Sequence, residues 1–225
     1  VTAHRLPPRL AEELRRDPRP VRPLPPAGVA ALAVAAAALA VQAAIVATVA
    51  LRPDLARLGV WVAWGASGVQ VALGLALVYA ALREAIPAAA LPAGPRWALL
   101  GAGLLAHCAT AVATWWRSPG PPPAVQMGTV CFRHELLLAL PAFALTVALV
   151  ARALPLRPSV AGLLGGAGSA LLADAVQHLL CPFSDLRHVL LWHTGALLAL
   201  MAAGWGLGRL WEWRLVRRAL GRREG

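Results

Sequence analysis

The hydrophobic positions of this chain fall into six long runs separated by short polar or proline-rich breaks. The runs cover residues 29–51, 59–82, 97–116, 136–151, 159–180 and 189–208. About 20 apolar residues in a row carry a helix across the hydrocarbon core of a bilayer. The fourth run falls short of that when started at Leu136 and regains a full span when extended back to Cys131. Polar residues inside the runs are sparse, with Gln42 near the middle of the first and Gln70 within the second. The pattern predicts an all-α, six-transmembrane-helix bundle over residues 29–208, with tails at 1–28 and 209–225.

Composition agrees with that division. Of the 225 residues 59% are hydrophobic and 14% charged, and the mean hydropathy is +0.65. No segment outside the runs is long enough to bury a core of its own, so the chain reads as one membrane domain with tails. The first run is longer than the apolar region of a secretory signal and is expected to remain as a span. Tryptophans 61, 64, 97, 115, 116, 211 and 213 stand at run ends, as interfacial belts require. Gly162, Gly165, Gly166 and Ser169 make small-x-x-x-small spacings that let helix backbones approach closely in lipid. Pro141 is expected to kink the fourth span.

The net charge of +11 would suit nucleic acid, but its distribution argues for membrane topology instead. All 21 basic residues are arginine. Sixteen lie before the first run, after the last, or in the second-to-third and fourth-to-fifth links; Arg52, Arg57, Arg117, Arg133 and Arg187 fall on the other side. The positive-inside rule then places both termini in the cytoplasm, and the charge calls for no direct nucleic-acid contact. Within the first tail, Arg9 to Arg16 can form two helical turns with Leu10 and Leu14 on one face, which is marginal alone in water. Prolines 18, 20, 23, 25 and 26 then impose an extended run. Two readings stand: a basic segment held near anionic lipid, or a peptide that folds onto a cytoplasmic partner.

Candidate chemistry gathers towards the outer half of spans three to six: His107, Cys108, Cys131, His134, Glu135, Asp174, His178, Cys181, Asp185, His188 and His193. Ionisable groups in lipid are costly and mark function or pairing. Cys131 and Cys181 average to position 156, and so do His134 and His178. That position lies in the 152–158 link, the one place a turn between spans four and five fits. An antiparallel hairpin therefore brings the two cysteines to one height, with the two histidines a helical turn below. Three readings of this mouth stay open: a disulfide or dithiol, a zinc or copper site of Cys131, His134, His178 and Cys181, or simple packing. Cys108 has no matching partner and is expected in the core. His107 and Asp174 can pair between spans three and five, as a proton relay or as a structural contact.

The tail Leu14-Arg15-Arg16-Asp17-Pro18-Arg19-Pro20-Val21-Arg22-Pro23-Leu24 resembles the L-x-x-D-L-x-P-V-x-x-L tail of the NrsF-type six-span membrane anti-sigma factors, with Pro18 where that family has leucine. Cys131-Phe132-Arg133, and Cys181-Pro182 through Trp192-His193, are similar to the family's two cysteine-bearing outer motifs. The resemblance implies a protein without enzymatic activity that holds an extracytoplasmic-function sigma factor at the inner membrane. Leu10, Leu14, Asp17, Pro20 and Val21 would supply the sigma contacts. It further implies release, and so relief of negative transcriptional control, on an oxidative, metal or light-derived singlet-oxygen stimulus, the last belonging to control of carotenoid biosynthesis. Cys131 and Cys181 would then be the sensor, and no resident cofactor is expected beyond the zinc or copper alternative. The competing class is a small membrane transporter or a quinone-linked redox membrane protein using His107, Asp174 and the cysteines. Lack of a C-x-x-C pair counts against the latter, and lack of inverted repeats against the former.

Overall fold

A computed structural model describes residue 12 and residues 24–86, 89–120, 123–153 and 155–221. Leu10, Leu14, Asp17, Pro20 and Val21 lie outside the described residues. Among the described residues six helices are long and apolar enough to cross a membrane: α1 Ala27–Val46, α2 Leu55–Glu84, α3 Ala93–Arg117, α4 Val125–Arg152, α5 Pro158–Leu180 and α6 Leu186–Arg214. The last continues to Gly221. The described residues are all-α, and the chain is a multi-pass membrane protein.

Prolines set several of the starts. Pro26 and Pro92 immediately precede α1 and α3, and Pro158 is the first residue of α5. The first backbone N–H groups of a helix have no intrahelical partner, so a residue lacking one costs nothing there. α4 begins at Val125, before both the start of its apolar run at Leu136 and the extended start expected at Cys131. Arg133 and Glu135 end the apolar run, yet Arg133 faces outward and Glu135 is fully buried against other helices, so neither ends the helix. Pro141 sits inside α4, which continues past it. α2 bends near its start, where Gly59 has φ +74° and ψ 165°, a conformation side chains with a Cβ rarely adopt. A π turn over Trp61–Gly65 follows it.

α5 is the central strut. Of its apolar window 72% is buried, against 44% or less for every other span. Its small residues explain how. A Cβ on Gly162 would strike the Gly204 carbonyl of α6, one on Gly166 the Leu200 carbonyl, and one on Gly168 the Gly74 carbonyl of α2. Backbone packs on backbone along the strut, and Leu77, Leu138, Leu164, Leu171 and Leu197 fill the remaining core. Cys108, expected inside, is exposed on the outer face of α3 while His107 takes the inner one. Neighbouring positions on a helix point about 100° apart, so only one of the two can face the bundle.

Two polar clasps hold the ends. Buried Glu84 of α2 accepts a hydrogen bond from Arg96 of α3 at 2.8 Å and forms an ion pair with Arg157, just before α5, at 3.0 Å. At the opposite end Arg52, in the α1–α2 connection, grips Asp54 through two hydrogen bonds of 2.6 and 2.9 Å. It also donates to the Ser184 hydroxyl at 2.6 Å and the His178 carbonyl at 3.3 Å.

Candidate functional site

The α4–α5 hairpin closes at that second end. Cys131 stands on the inner face of α4, and Cys181 is the residue at which α5 stops, its N–H donating to the Gln177 carbonyl at 2.7 Å. Both cysteines are buried, and their sulfurs lie 3.7 Å apart as free thiols. The Cys131 sulfur and burial together push the Cys181 thiol above its ordinary range.

The sulfurs are not joined by His134 and His178. His134 Nδ1 meets Gln177 Oε1 at 2.8 Å. The His178 ring lies between two hydroxyls, Ser67 Oγ at 3.1 Å and Thr114 Oγ1 at 2.9 Å. The partners of the thiols come instead from the start of α6. Asp185 caps that helix by accepting the His188 N–H at 3.1 Å, and His188 Nε2 lies 3.5 Å from Cys181 Sγ. His193 completes a group of four, Cys131, Cys181, His188 and His193, whose donor atoms all lie within 4.8 Å of one another.

A local irregularity of α6 makes that group. In an α-helix, residues five apart point roughly 140° away from each other. Here Val189–His193 forms a π turn, with the Thr194 N–H bonded to the Val189 carbonyl, and the His188 and His193 rings come to 5.4 Å edge to face. Trp192, between them in the turn, packs where a Cβ on Gly128 of α4 would stand, which pins α6 to α4 at this height.

Below the thiols runs a chain of buried polar groups. His193 Nδ1 is 3.3 Å from both Glu135 Oε2 and Asp174 Oδ1. The other Asp174 oxygen accepts Gln70 Nε2 at 2.6 Å and faces His107 Nδ1 at 2.7 Å. The far nitrogen of His107 meets the Thr194 hydroxyl at 2.8 Å. His107 and Asp174 thus belong to a network spanning α2, α3, α4, α5 and α6. At the rim, burial pushes the Asp54 carboxyl up, but the Arg52 and Ser118 hydrogen bonds outweigh it and hold the group below the usual carboxylate range.

Sequence reasoning missed the roles of Arg52, Gln70 and Thr114, and the pairing of His188 with His193. The Trp192-His193 pair within the second cysteine motif was the one signal pointing to His193. Chemically, two thiols at this distance can surrender two electrons and two protons to an oxidant and form one S–S bond. Two thiolates with two imidazoles can equally take a zinc- or copper-type ion. The four residues fit such an ion by donor class and mutual distance.

No curated protein and no solved structure matches the chain. The sequence profile of NrsF, the negative regulator of sigma F, matches residues 14–213, from the proline-rich tail through all six helices. A six-helix membrane bundle with a buried thiol pair at one end, matched over nearly its whole length, belongs to the NrsF family of anti-sigma factors, regulatory proteins of transcription.

Proposed function

We propose that this chain sequesters an extracytoplasmic-function sigma factor at the bacterial inner membrane and frees it when the chemistry of Cys131 and Cys181 changes. The tail captures the partner, with Leu10, Leu14, Asp17, Pro20 and Val21 as contacts. Both termini are cytoplasmic, and the cysteine end of the bundle faces outward. The observation that carries this reading is the family match over residues 14–213. The 3.7 Å approach of the two sulfurs supports the input half. A two-electron oxidant, including one derived from light through singlet oxygen, takes both electrons and leaves a disulfide. A control of carotenoid genes is one output such a stimulus suits.

The thiol–imidazole group favours a second form of the same input, in which a soft metal ion occupies Cys131, Cys181, His188 and His193. Removal of residues 1–25 tests the output. A shortened chain should insert in the membrane normally while the sigma factor becomes free and its target genes turn on without a stimulus. Unchanged repression by that chain would place the capture surface elsewhere.

A further inference from the structure

Glu135 is an unusual residue to find inside a membrane bundle. Its side chain is 0% exposed, and neither carboxylate oxygen has a hydrogen-bond donor among the described residues. The carboxylate of Asp174, also buried, lies across the same imidazole. Among the described residues no arginine makes an ion pair with either group: Asp174 faces the His107 and His193 rings, and Glu135 has only the His193 ring within ion-pair distance. Leaving a buried charge uncompensated is strongly destabilising.

The spacing of the donor atoms suggests what compensates them. Glu135 Oε2, Asp174 Oδ1 and a donor nitrogen of His193 all lie within 4.8 Å of one another, and two of the edges, both from Nδ1, are 3.3 Å. Bonds of about 2.0–2.1 Å in a tetrahedron set their donors about 3.3–3.4 Å apart. One imidazole N–H, by contrast, cannot point at two carboxylates at once. The second oxygen of Asp174 is already fixed by Gln70 and His107, the outer hydrogen bonding that orients a metal-ligating carboxylate. A cavity of about 20 Å³, room for one water, borders Asp174 and His193 but is not lined by Glu135.

We propose that Glu135, Asp174 and His193 bind a divalent transition-metal ion of the zinc type, at a site distinct from the thiol pair in its oxygen-and-nitrogen ligand class. The ion neutralises both carboxylates and ties α4, α5 and α6 together. His193 is shared with the thiol group, so an ion on its Nδ1 fixes the ring that stands beside the sulfurs. The site holds independently of any sigma-factor regulation.

The test uses the full chain in detergent carrying C131S and C181S, which removes the thiolate ligands. Dialysed against Zn²⁺ alone, this variant should retain a single equivalent per chain. Adding E135Q, close in shape to the native residue, should abolish retention. His107→Phe should weaken binding by roughly 10–100-fold, as loss of an outer-shell partner does. Co²⁺ supplies a readout that needs no further variant: the C131S/C181S chain should show d–d bands without sulfur charge-transfer absorption. Absence of those bands, or zinc held as tightly by the E135Q chain, overturns the site.

Discussion

Oxidising the thiol pair should shift sigma-factor release by an amount the chain topology limits. Cys131 and Cys181 are 50 positions apart, so a bond between them closes a loop of about that length. The chain-entropy relation gives about 4 kcal/mol for such a loop in a fully unfolded chain. Spans four and five stay helical and inserted in lipid, joined by a short link, so their cysteine-bearing ends never wander as a free coil would. The effective figure therefore falls towards the lower end of the ~2–4 kcal/mol that disulfides supply. A complex held about 99:1 in favour of capture needs about 5.5 kcal/mol to reverse completely. A shift of about 2 kcal/mol frees roughly a fifth of the partner and one of about 4 kcal/mol roughly nine-tenths, at 1.4 kcal/mol per factor of ten. Release should accordingly be graded and incomplete under a purely oxidative stimulus. The assay is recovery of the sigma factor on the immobilised full chain across a titration of a thiol oxidant, with maleimide labelling to count free thiols. C131S/C181S should give a flat titration. Graded release by that variant, matching the wild type, would refute the thiol mechanism.

Packing and the rim clasp give two further expectations. Gly162→Ala forces a methyl into the Gly204 carbonyl and should cost about 1–3 kcal/mol, read as a lowered unfolding temperature in detergent. Gly101→Ala, whose Cβ meets nothing within 4 Å, should leave stability unchanged or raise it, and equal losses at the two sites would refute the close-approach reading. Asp54→Asn should lower stability by up to about 1 kcal/mol at neutral pH, since the pair is partly solvated. Because the folded carboxyl is held below its unfolded value near 3.8, its contribution is complete above that value and disappears as pH falls through the lower one. The difference between wild type and Asp54→Asn should therefore begin to shrink on acidification below about pH 4, and a gap constant from pH 7 to well below pH 3 would remove the ion pair from the account.

The fold was legible because lipid enforces it: runs of about 20 apolar residues have few alternatives to a helix. Boundaries were less so. The fourth span began eleven residues earlier than its apolar run, because Glu135 turns its charge inward where hydropathy cannot see the direction of a side chain. The glycines of the fifth span read correctly as packing positions, since close approach leaves a signature in residue size alone. The site was legible only in part. Hairpin arithmetic brought Cys131 and Cys181 to one height, but it also assigned them His134 and His178, which bond elsewhere. Side chains one turn down a helix pair meet the facing helix first, and here Gln177, Ser67 and Thr114 were waiting.

His188 and His193 were beyond α-helical arithmetic for a different reason. Five positions apart, they face one way only where the helix takes an i to i+5 bond, and the sequence Val189-Leu190-Leu191-Trp192-His193 carries no composition that demands it. The turn has a consequence for how the two ends of the bundle communicate. Relaxing it to ordinary α-helix would rotate every residue on one side by about 100° relative to the other, the step of a single position. α6 cannot absorb that rotation below the turn, because Gly204 and Gly208 lie against the backbone of α5 at Gly162 and Pro158. Near its far end Glu212 also grips the Ser159 amide and hydroxyl at 3.0 and 2.6 Å. If thiol chemistry moves His188 and His193, either the π turn takes up the motion locally or α5 and α6 shift together. Close-packed interfaces of this kind change by discrete steps and not by bending. A substitution that favours α-helix within Val189–His193 therefore separates the two: insulation of the far end means the turn is a buffer, and loss of capture means α6 is the transmitting element.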